Sequence, residues 1–96
     1  MDYRMMELLI SICEIFGVHP SEVFMIKKLT PRVNKELTLR KDKVIKVIDI
    51  FTYWSMARYK IDSFKVAEFL EFKHRTRIYP HYQRGLNYSA LQNERR

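Results

Sequence analysis

The sequence predicts a single all-α domain of about five helices containing a helix-turn-helix, and three observations lead there. Its 96 residues suit one core. With 47% hydrophobic and 14% aromatic residues there is enough apolar material to fill that core, which excludes disorder for most of the chain. Only two glycines and three prolines interrupt it, so long elements with few tight turns are expected rather than an all-β fold.

The first helix is expected over residues 3–16, where Met5, Leu8, Leu9, Ile12, Ile15 and Phe16 recur at three- and four-residue steps. Gly17 is its stop. Pro20 suits the first position of a short second helix, with Ser21 and Glu22 in its opening turn and Val23, Phe24 and Ile26 inward. Residues 27–38 hold Pro31 and Asn34 and little periodicity, which reads as a basic connecting loop with Thr38 as the next N-cap. From about Leu39 to Arg58 runs the clearest stripe: Val44, Val47, Ile48, Phe51, Trp54 and Ala57. A helix this apolar is expected to be central, with Trp54 in the core. A fourth helix follows over 61–70, with Asp62 as N-cap and Ile61 and Val66 placed as a hydrophobic staple. After a tight turn at Glu71-Phe72-Lys73 comes a second short basic element, in which Ile78 and Tyr82 face inward and Gly85 is the boundary. The domain is thus expected over 1–85, with the helix-turn-helix at about 62–84. Residues 86–96 form a polar tail or a last short helix.

Charge is distributed in blocks. The chain carries +7 overall. Residues 27–46 hold eight bases and two acids, and residues 73–96 six bases and one acid. Residues 1–26 hold one base and four acids. Two basic blocks that converge on one face would make a footprint for a polyanion. The lone Cys13 sits among apolar neighbours, as a small buried hydrophobe in a reducing compartment would. Asp2, Glu7 and Glu14 within the N-terminal apolar stretch fit neither a signal peptide nor a membrane span, so a soluble cytoplasmic protein with no membrane partner is expected. His19, His74 and His81 have no cysteine pair or carboxylate cluster beside them, so no metal site is expected. No nucleophile signature or phosphate-binding glycine loop occurs, so neither enzymatic activity nor a cofactor is expected.

Two short helices joined by a tight turn, the second densely basic, form the pattern of a helix-turn-helix, whose second helix presents donors to base edges and phosphates. Residues 39–82 resemble the C-terminal DNA-binding domain of the DnaA replication-initiator family. The matching order is a basic loop, a long apolar helix, a short helix, and a second helix opening here as Lys73-His74-Arg75-Thr76. The segment ISICEIFGVHPSEVF at 10–24 is similar to the family's preceding helix pair. The resemblance implies a Trp-repressor-like helix-turn-helix that binds double-stranded DNA, with His74, Arg75 and Thr76 reading the major groove. It further implies backbone contacts from Arg40, Lys41 and Lys43, with Lys27, Lys28, Arg32 and Lys35 in the loop. Arg77 and Lys73 join the candidates through their place in the basic run, since arginine forks onto guanine or phosphate.

Pro80 bears on the geometry. A helix beginning at His74 would place the proline ring against the Thr76 carbonyl. A late start near Arg77 relieves this, leaves His74 and Arg75 on a loop, and moves base contact toward Arg77 and His81. Replication control, transcription control and a phage or mobile-element role are equally open from the residues. A protein-interaction module that docks an acidic partner through Tyr79, His81 and Tyr82 is the runner-up. RNA binding, with Tyr53 or Tyr59 as a stacking surface, is the third reading.

Overall fold

A computed structural model describes residues 3–25 and 35–94, with side chains described for 3–25 and 41–89. It is all-helical, with α1 at Tyr3–Phe16, α2 at Pro20–Met25, α3 at Lys35–Ala57, α4 at Ser63–Phe69 and α5 at Ile78–Glu94. A single 3₁₀ turn at Arg75–Arg77 leads into α5. No strand occurs among the described residues.

α1 ends where its pattern ends. Gly17 takes φ +68°, and the Val18 and Gly17 N–H groups donate to the Cys13 and Glu14 carbonyls at 2.9 and 3.3 Å. These are the two bonds of a Schellman motif. The next helix is capped from both directions. The His19 N–H donates to the Glu22 carboxylate at 2.8 Å, and the Ser21 N–H donates to His19 Nδ1 at 3.2 Å. Pro20 fills the first helical position, where its absent N–H is not needed.

α3 is the central element. Val44, Val47, Ile48 and Phe51 are buried against Leu9 and Ile12 of α1, Val66 of α4 and Ile78 of α5 in one cluster. Phe69 of α4 stacks on Phe51 at 5.4 Å and meets the edge of Phe24 of α2 at 6.0 Å, so three helices share one aromatic contact. Cys13 is buried in the same cluster, where desolvation first and the nearby Glu22 charge second push its thiol pKa up.

Four expectations need correction. α3 begins at Lys35, not near Leu39, so Thr38 lies inside the helix and is not its cap. Lys35, Glu36 and Leu37 are strong helix formers with no break before residue 39. Trp54 is half-buried and outside the core, with the Arg58 guanidinium 4.3 Å above its ring. The buried positions there are Thr52 and Ser55, because α3 presents that side to its neighbours and turns Trp54 to the rim. Gly85 does not end a helix, and residue 85 is not a boundary: α5 runs unbroken from Ile78 to Glu94.

The reason for Gly85 is the way α3 and α5 pack. They run antiparallel, with Lys46 over the Tyr88 ring at 5.1 Å, Gly85 against Asp49, and Tyr53 beside Tyr82 at 5.6 Å. A Cβ on Gly85 would collide with the Asp49 carbonyl oxygen and fall 2.5 Å from Tyr53 Cβ. Only hydrogen fits at this crossing.

Candidate nucleic-acid interface

The turn between α4 and α5 is built from both ends. On the α4 side, Asp62 caps the helix by accepting the Phe64 N–H at 2.7 Å. Ile61 and Val66 both join the core, as a staple requires. At the far end of α4 a second Schellman pair forms, from the Phe72 N–H to the Ala67 carbonyl at 2.9 Å and from the Glu71 N–H to the Glu68 carbonyl at 3.0 Å. The left-handed residue here is Glu71, with φ +62°.

His74 is then extended, and the Arg77 N–H donates to its carbonyl at 3.1 Å to close the 3₁₀ turn. Ile78, fully buried, anchors the start of α5. Pro80 is the third residue of α5, within the first turn, where backbone N–H groups lack helical partners anyway. This is the late start, and no regular helix runs from His74.

Lys73, His74, Arg75, Thr76 and Arg77 are all exposed. They form one contiguous run of five with three permanent cations. The Arg75 guanidinium lies 4.1 Å above the ring of Phe64, which is 61% exposed.

His81 does not join this surface. Its ring stacks on Phe72 at 5.6 Å, and its Nδ1 bonds the Asp49 carboxylate at 2.6 Å. The Asp49 side chain is 1% exposed, and a buried carboxylate needs donors. Arg84 supplies the other, from Nε at 2.9 Å. His81 is therefore a tie between α3 and α5, which corrects its expected place among the base contacts. Tyr82 is half-buried against Tyr53, so of the three residues that would dock an acidic partner only Tyr79 is exposed.

The two basic blocks do not converge through α3. Lys41 and Lys43 stand near the start of α3, beside the C-terminal part of α5, while residues 73–77 precede the start of α5. Sixteen residues of helix separate Lys41 from Ala57, roughly 24 Å at 1.5 Å per residue. Arg58 and Lys60 lie at the same end as the 73–77 turn and are exposed. Sequence reasoning passed over them because their segment is acidic overall. Lys27, Lys28 and Arg32 lie outside the described residues. Lys35 and Arg40 are described only as backbone of α3.

No group of three or more histidine, cysteine or carboxylate side chains that could hold a metal ion occurs among the described residues. No helix among them is long and apolar enough to cross a membrane. Comparisons with family models, with curated proteins and with solved structures gave no match to this chain.

Proposed function

We propose that the protein binds double-stranded DNA non-covalently through α4, the 73–77 turn and α5, acting as a helix-turn-helix of the DnaA C-terminal type. The observation that carries this reading is the run Lys73–Arg77. It is wholly exposed, lies between two packed helices and is held at both ends by backbone hydrogen bonds. Such a rigid cationic projection suits a groove lined with phosphates. Lys41 and Lys43 add backbone contacts in this reading. Given the roughly 24 Å between the two basic ends, a duplex that touches both lies along the α3/α5 pair over about seven base pairs.

The test is binding to duplex DNA, single-stranded DNA and RNA of equal length, side by side across a salt series. The expected result is tightest binding to the duplex, with log K falling linearly against log salt. Replacing Lys73, Arg75 and Arg77 together by glutamine should flatten that line by roughly three units. An unchanged slope would remove the turn from the interface. Tighter binding to RNA would move the reading to RNA. No binding to any of the three would leave the protein-interaction reading.

A further inference from the structure

We propose that Phe64 is a positioning residue that makes Arg75, and not Arg77, the reader of a guanine edge. The inference rests on the duplex-binding reading above and adds which side chain gives it sequence preference.

Phe64 is a large apolar residue left 61% exposed on a seven-residue helix. Its backbone is fixed, because its N–H is the donor of the Asp62 cap. The guanidinium carbon of Arg75 sits 4.1 Å from its ring centroid. That distance fits a cation over the negative face of an aromatic ring. α4 and the 3₁₀ turn pack together, so ring and guanidinium belong to one rigid unit.

The chemistry follows from shape. A ring under a guanidinium occupies one face of the planar group and leaves the edge N–H donors free. Those donors form the fork that meets guanine O6 and N7, or two phosphate oxygens, in a two-point contact. An unsupported arginine must lose its side-chain freedom on binding, whereas a stacked one has already lost much of it. No aromatic ring supports Arg77 among the described residues, so Arg77 and Lys73 serve as phosphate contacts that carry no sequence information. Guanine is the base chosen, because arginine to O6 and N7 in the major groove is the two-point pairing that its fork matches.

The experiment selects a preferred site from random duplexes with the wild-type chain. It then measures the ratio of affinities for the selected and a scrambled duplex in Phe64→Ala, Phe64→Tyr, Arg75→Ala and Arg77→Ala, with the salt slope alongside. Phe64→Ala and Arg75→Ala are expected to reduce the ratio about tenfold, the size of one guanine contact. Phe64→Tyr should restore it, because the ring face is kept. Phe64→Ala should leave the salt slope unchanged, because no charge is removed, and Arg77→Ala should lower the slope with the ratio intact. The exposed site means Phe64→Ala stays folded, and circular dichroism checks this. A wild-type ratio near one, an unchanged ratio in Phe64→Ala, failure of Phe64→Tyr to rescue, or loss of the ratio in Arg77→Ala alone would each overturn the proposal while duplex binding stands. Absence of salt-dependent duplex binding in the wild type would overturn both.

Discussion

Gly17 occupies a left-handed turn with no atom within 4 Å of where a Cβ would stand, whereas Gly85 lies in a regular helix with the backbone of α3 pressed against it. The first glycine is required for its φ of +68°, the second for its missing volume. In the sequence the two look alike, as single glycines after apolar-periodic stretches, and both read as helix ends. The difference is that a φ requirement is local and a space requirement is not. Gly17 is announced by the pattern before it and by Pro20 after it. Gly85 is explained only by Asp49 and Tyr53, which lie on another helix.

The comparison makes its strongest demand at Gly85, where two effects oppose each other. Alanine in a helix interior is favoured over glycine by about 0.5–1 kcal/mol. A methyl group placed on the Asp49 carbonyl and 2.5 Å from Tyr53 Cβ forces two helix backbones apart. Neither can yield by a rotamer change, so the cost belongs at the top of the 1–3 kcal/mol usual for overpacking. Gly85→Ala should therefore destabilise by about 2 kcal/mol, lowering the melting temperature by roughly 8–16 °C in a domain of this size. A rise in melting temperature would mean that Gly85 sits in an ordinary helix with room around it.

Gly17→Ala tests the other half of the pair. No contact opposes the new methyl group. A left-handed conformation costs an L-residue about 1–2 kcal/mol, and the loss of glycine's freedom in the unfolded chain offsets about 0.4–1 of it. The expected loss is about 1 kcal/mol by thermal or denaturant unfolding. A loss as large as that of Gly85→Ala would show that the turn is held by packing after all.

The same division between local and distant causes explains what the sequence disclosed of the fold and of the site. α1, the start of α2 and the Asp62 cap are legible because each depends on residues within about four positions. The late start of α5 is legible for the same reason, since Pro80 acts within one helical turn. The exposed run 73–77 is legible as a charge block. Trp54, His81 and Phe64 are not. Trp54 continues the apolar stripe of α3 by spacing, yet that side of the helix ends at the rim. His81 reads as one more polar group in a basic segment until the buried Asp49 carboxylate is placed beside it. Phe64 reads as one apolar residue of an amphipathic helix, and its role under Arg75 depends on a turn eleven positions on.

Glu71 completes the glycine comparison from the opposite side. It takes the conformation that Gly17 takes, with φ +62° and the same pair of backbone bonds, but carries a side chain. Glu71→Gly therefore runs the Gly17→Ala exchange backwards and should stabilise. The gain is smaller than the loss at Gly17, because the Glu71 stem lines the groove between α1 and α4 with Tyr3, Phe24 and Phe69, and its contacts there disappear. About 0.5 kcal/mol is expected, after the extra unfolded-state freedom of glycine is subtracted. A second consequence is electrostatic. Glu71 is two residues before Lys73, and its carboxylate opposes the positive field of the 73–77 run. Removing it should tighten duplex binding at low salt, and the gain should vanish as salt rises, because exposed charges separated by more than a Debye length of about 10 Å at 0.1 M are screened. The pairing of the two readouts is the useful part. Higher stability with unchanged binding would confirm the strained turn and place the duplex away from it. Tighter binding with unchanged stability would show that Glu71 holds its left-handed conformation without cost. The expected result is that both rise, which would put strain and charge repulsion at a single residue of the proposed binding turn.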